Sequence, residues 1–131
     1  MTWAPVLAGA AAARAHDAID RVARALCDPD PAWQLGPSLA DGDAGLAVFY
    51  AYLDRAAPTA GWGAYAERYL ERAIDAMAAA PMSPSLHHGF VGIAWSIEHL
   101  TAPLREPGDD DPCTAIDDAI AAMLDLSLIH I

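Results

Sequence analysis

A ten-residue phrase occurs twice in this chain, 47 residues apart, and it limits the possible folds more than any other feature. Ser38-Leu39-Ala40-Asp41-Gly42-Asp43-Ala44-Gly45-Leu46-Ala47 returns as Ser85-Leu86-His87-His88-Gly89-Phe90-Val91-Gly92-Ile93-Ala94. Serine, leucine, both glycines and the closing alanine coincide, and further on Leu53 matches Leu100. A fixed period of this size marks an array of similar supersecondary units. The common S-L-x-x-G-x-x-G-[IL]-A also has a physical reading. Two glycines just before an apolar run let a helix begin with its first turn pressed against another backbone.

Alanine is the commonest residue and the alternation of β-branched residues that marks strands is missing, so the chain is expected to be all-α. A first helix is predicted from about Ala10 to Leu26, with Ala12, Ala15, Ile19, Val22, Ala23 and Leu26 along its apolar side. Asp28-Pro29-Asp30-Pro31 should end it, because proline cannot continue the hydrogen-bond ladder. A second helix should run from Asp43 to about Ala56. Being apolar all round from Leu46 to Leu53, it is expected to be buried on every side. The third, Tyr65 to Ala80, carries a stripe of Ala66, Leu70, Ala73, Ile74 and Met77. The fourth, Gly92 to Leu100, is again mostly apolar. Asp111-Pro112 forms a good N-cap and N1 pair for a fifth helix starting at Cys113. The order is outer, inner, outer, inner, outer. It predicts part of an α/α toroid built from repeated helix hairpins, with the glycines at the inner-helix starts.

Charge narrows the partners. Seven arginines, no lysine and eighteen acidic residues give a formal net charge of −11, which disfavours nucleic acid and anionic membranes. Cys27 and Cys113 stand far apart and suggest neither a disulfide framework nor a zinc ribbon, as in a reducing compartment. No signal peptide or membrane span is read at the N-terminus, and a cytoplasmic location is expected. Residues 126–131, Leu-Ser-Leu-Ile-His-Ile, translate a widely used transposase sequencing adapter in this frame. The natural domain is therefore expected to cover 1–125 and to be cut inside the fifth helix, with 126–131, including His130, non-native.

The two phrases in this helical setting resemble the lanthionine synthetase C-like (LanC-like) proteins, α/α toroids with G-x-x-G phrases at the starts of inner helices. Ser38 to Gly45 is similar to the family's first phrase. Ser85 to Trp95, followed by Glu98-His99-Leu100, is similar to its second, and the resemblance spans roughly residues 10–125. It implies the N-terminal fragment of a zinc-dependent cyclase that adds cysteine thiols to dehydroamino acids of a modified precursor peptide. The zinc of such enzymes activates the thiol as thiolate, and a dehydratase is an implied partner. The family's zinc ligands are a cysteine and a later Cys-His pair followed by glycine, in the far half of the toroid. Cys27 precedes Asp28 and Cys113 precedes Thr114, so neither matches. The acid/base aspartate and histidine also fall in later repeats. The resemblance thus implies no catalytic residue, metal ligand or cofactor in this chain, zinc in the intact parent, and an inactive fragment.

Asp41, His87 and His88 are the candidates for contacts with a peptide in the toroid lumen, whereas Gly42, Gly45, Gly89 and Gly92 form the structural repeat motif. The competing reading of Asp41 and Asp43 is helix capping, worth roughly 0.5–2 kcal/mol. His99 should lie too far from His87 and His88 to complete a zinc site. Asp109-Asp110-Asp111 reads as a solvated loop, and Phe49, Tyr50, Tyr52 and Trp95 as core. Other functions remain open. One is a non-catalytic LanC-like peptide-binding or scaffold module. Another is a different toroid enzyme such as a glycosidase, with paired carboxylates across its lumen. A third is a cyclase acting on a small thiol such as glutathione. Inner helices lacking their full set of neighbours imply marginal stability and self-association of the isolated chain.

Overall fold

A computed structural model describes residues 4–28 and 35–129, with side chains through Asp125. Pro29, Asp30 and Pro31, expected to stop the first helix, lie outside the described residues, as does His130. Five α-helices follow in order: α1 Gly9–Leu26, α2 Asp43–Ala56, α3 Gly63–Ala79, α4 Phe90–Thr101 and α5 Thr114–Ile129. A short 3-10 turn, Ala102–Leu104, extends α4. Among the described residues there is no strand, only an isolated bridge between Gly36 and Gly42. The all-α expectation therefore holds. No helix among the described residues is long and apolar enough to cross a membrane.

The chain divides into two compact units, Met1–Gln34 and Leu35–Ile131. The first contains α1. Its Ala23 is buried, but Ile19 and Val22 of the expected apolar side are 40% and 50% exposed. Among the described residues of that unit α1 is the only helix.

In the second unit α2 and α3, joined by Ala57 to Trp62, pack on each other, and α4 packs on both. One core cluster joins Ala44, Ala73, Ile93, Ala94, Ile97 and Cys113, with Leu70, Met77, Met82 and Ile116 against it. A second gathers round Tyr50, which is fully buried. Its ring lies 5.3 Å from those of Phe49 and Tyr65 and 5.7 Å from those of Trp62 and Tyr69. Tyr69 stacks on it within 7°, and the guanidinium groups of Arg68 and Arg72 sit 5.3 and 5.4 Å from the Tyr69 ring centre.

The glycine phrases fold alike. The Asp43 N–H donates to the Gly36 carbonyl at 2.8 Å, and the Phe90 N–H to the Ser83 carbonyl at 3.0 Å. The N–H groups of Asp41 and His88 point at the hydroxyls of Ser38 and Ser85, at 3.4 and 3.3 Å. A Cβ on Gly42, Gly45, Gly89 or Gly92 would run into the carbonyl oxygen six residues back, of Gly36, Leu39, Ser83 or Leu86 respectively. None of the four has a positive φ. Close approach of backbone to helix, not left-handed geometry, is what excludes a side chain. The two phrases also touch: the Ala40 N–H donates to the His87 carbonyl at 3.0 Å.

Three packing expectations are corrected. α2 is not buried on every side: Asp43, Ala44, Ala47 and Tyr50 are buried, while Tyr52 is 50% exposed. Within its own unit, α3 and α4 pack against it. The buried stripe of α3 takes in Tyr69 and leaves Ile74 half-exposed, because stacking on Tyr50 draws the aromatic ring inward. Trp95 of α4, read as core, is 44% exposed.

Candidate functional site

The starts of α2 and α4 lie side by side because their phrases are hydrogen-bonded to each other, and this gathers the three candidate contact residues. Asp41 Oδ1 lies 3.6 Å from His88 Nδ1, and the His87 and His88 rings are 6.4 Å apart. Both partners of the Asp41–His88 pair are mostly exposed. The Ser38 hydroxyl donates to Asp41 Oδ1. That bond first, and the His88 imidazole after it, hold the Asp41 carboxyl below its ordinary range despite some desolvation. The result is an open, polar patch with a carboxylate and two imidazoles at one end of the helix pair.

Asp43 behaves differently. No side chain caps α2 by hydrogen bonding, and Asp43 turns inward instead. Its side chain is only 6% exposed, with Oδ2 3.2 Å from Arg72 Nε on α3 and Oδ1 enclosed without a hydrogen-bond partner. Burial raises its pKa, against the opposing pull of Arg72 and Arg68.

Further along the same two helices an aromatic strip reaches the surface. Trp95 stacks on His99 at 4.6 Å and within 9°, and His99 Nε2 lies 2.9 Å from Tyr52 Oη. The Arg55 guanidinium sits 5.1 Å from the Tyr52 ring centre. Tyr52 and His99 occupy equivalent places in the two copies, 47 residues apart. His99 is thus engaged with aromatic neighbours, away from the His87–His88 pair. Sequence reasoning placed Tyr52 and Trp95 in the core because hydropathy counts their ring area and ignores which side the neighbouring helices occupy.

The described residues contain one group with metal-ligand spacing: single donor atoms of Glu98, Asp111 and Cys113 lie within 4.8 Å of one another. Arg105 already supplies its cation, donating to Glu98 Oε1 and, at 3.4 Å, to Asp111 Oδ1. Cys113 is buried, and desolvation first, then the nearby carboxylates, raises its thiol pKa, opposing the thiolate that a metal needs. The group therefore does not fit the zinc implied by the resemblance, and Cys27 lies in the other unit, with its thiol on the Ala23 carbonyl. Asp111 has a second task. Its Oδ1 accepts the Cys113 N–H at 2.8 Å and its carbonyl accepts the Thr114 hydroxyl at 3.0 Å, which organises the entry to α5. The Glu98–Arg105–Asp111 linkage was missed in sequence because no local spacing announces it.

No curated protein and no solved structure matches the chain. The family model described as lanthionine synthetase C-like protein matches residues 34–111, more than half of the chain and including both glycine phrases. With two phrases that make the same turn and lie in contact inside that span, the chain belongs to the lanthionine synthetase C-like family.

Proposed function

We propose that residues 1–125 are the N-terminal part of a LanC-like α/α toroid, that 126–131 are a non-native tail, and that the intact parent is a zinc-dependent cytoplasmic cyclase. Its reaction adds a cysteine sulfur of a modified precursor peptide to the β-carbon of a dehydroamino acid. A proton goes to the α-carbon, so the thioether ring forms without a change of mass. The observation that carries this reading is the family match over residues 34–111, reinforced by two glycine phrases with the same backbone turn. In it, α2 and α4 are inner helices, and Asp41, His87 and His88 at their starts contact the peptide. This chain supplies wall and contacts. The zinc and acid/base groups belong to further repeats, and a dehydratase that prepares the peptide is a natural partner. A non-catalytic peptide-binding module is the second reading, favoured by the exposed strip of Tyr52, His99 and Trp95.

The test begins with the source DNA, read in frame beyond Asp125. Further G-x-x-G phrases, a lone cysteine and a Cys-His-Gly are expected. The extended protein, incubated with the dehydrated precursor, should lower the number of alkylatable thiols at constant peptide mass, while the 131-residue chain should not. A continuation without those ligands, or an unchanged thiol count, would overturn the cyclase reading and leave the binding module.

A further inference from the structure

An exposed tryptophan held in one orientation calls for an explanation. Trp95 is braced on one side by His99, which is itself engaged by the Tyr52 hydroxyl. Its other surroundings form a groove of about 270 Å³ between α4 and α5. Trp95, Ile116 and Ile120 supply apolar wall, and Glu98, Asp111 and Asp117 supply carboxylates. A single guanidinium, that of Arg105, is shared between Glu98 and Asp111. The Glu98 side chain is 45% exposed, and one guanidinium against three carboxylates leaves the groove with surplus negative charge. An apolar-walled groove with surplus negative charge has the chemistry of a pocket for a long basic side chain. The aliphatic stem lies along hydrocarbon and indole while the cationic head meets the carboxylate.

We propose that this groove binds the lysine or arginine side chain of a basic peptide, with Trp95 as the wall and Glu98 as the counter-ion. The pocket is of single-side-chain size, below the ordinary range for drug-like ligands. A second copy of this chain is a poor occupant, because it has no lysine and each copy carries a net charge of −11. The inference stands whether the parent is a cyclase or a binding module, since it rests on α4 and α5 and not on the missing chemistry.

The test uses the full chain labelled with ¹⁵N. The Trp95 indole N–H resonance, identified by its loss in Trp95→Phe, is followed during titration. The probe is a capped pentapeptide with one central lysine, and its twin is acetylated on Nε. The lysine peptide should shift the resonance saturably. Acetylation and Glu98→Gln should each weaken binding about tenfold, the scale of one desolvated charge contact. The double change Asp17→Asn/Asp20→Asn on α1 removes the same kind of charge elsewhere and should leave affinity unaltered. Equal binding of the two peptides, full binding to Glu98→Gln, equal loss in the α1 double variant, or no binding at millimolar peptide would overturn the proposal. Should Glu98→Gln fail to fold, the acetylation comparison on the unaltered chain decides.

Discussion

Gly92 and Gly36 are the same residue under opposite constraints. A Cβ on Gly92 would collide with the Leu86 carbonyl and come within 2.9 Å of the Leu39 Cβ, whereas one on Gly36 would meet nothing within 4 Å. Alanine in an unconstrained helix interior is better than glycine by roughly 0.5–1 kcal/mol, so the sign at Gly92 is diagnostic. Gly92→Ala is expected to destabilise by about 1–3 kcal/mol through overpacking, and Gly36→Ala to stay within about 0.5 kcal/mol, both read from urea unfolding. A stabilised Gly92→Ala would refute the close approach. Asp43 gives a pH test. Its folded pKa lies above the ordinary 3.8, so its ionised form works against folding. That cost is complete above the raised pKa and fades as pH falls through it toward 3.8. Asp43→Asn should therefore be more stable than the parent chain at pH 7, with the gap closing on acidification. A gap that widens toward pH 4 would contradict the burial argument. The glycines were legible in the sequence because each contact lies only six residues back along the chain. The inward turn of Asp43 was not, since Arg72 comes from another helix.

Between residue and molecule, helix boundaries and faces depend on neighbours. α3 starts at Gly63, not Tyr65, and the cause sits on α2: the Gly63 N–H donates to Asp54 Oδ1 at 2.9 Å. Trp62, the N-cap residue, offers no side-chain cap of its own. Asp54 thus does the work of a cap across the connection and complements the positive end of the α3 dipole. Asp54→Ala should cost about 0.5–2 kcal/mol, with loss of amide-exchange protection concentrated in the first turn of α3. Uniform loss across the helices would argue against the capping role. The Tyr50 cluster sets which faces of α2 and α3 meet. Tyr50→Ala should cost about 3–5 kcal/mol in thermal or urea unfolding, the scale for truncating a buried aromatic ring. Helix existence was legible from alanine content and periodicity. The rotation of α3 was not, because stacked rings favour Tyr69 where hydropathy favours Ile74.

For the whole molecule, apolar exposure and charge pull in opposite directions. Leu104, Leu124 and Val6 are 81%, 60% and 97% exposed, while a net charge of −11 keeps copies apart. Screening that repulsion should release association. Sedimentation is expected to show larger species as sodium chloride rises from about 20 to about 300 mM, where the Debye length falls below ~10 Å. A monomer at every salt concentration that unfolds in one sharp transition would refute both self-association and marginal stability. By itself the chain determined its helical class, its period and the four glycines of its repeated phrase. These depend on local backbone contacts and composition, which a linear pattern records. Only the tertiary structure decided which side of α2 takes α3 and α4, that Trp95 faces outward on His99, and that Arg105 draws Glu98 and Asp111 together. Each of those depends on which other element occupies the adjacent space, and spacing along one chain does not encode that.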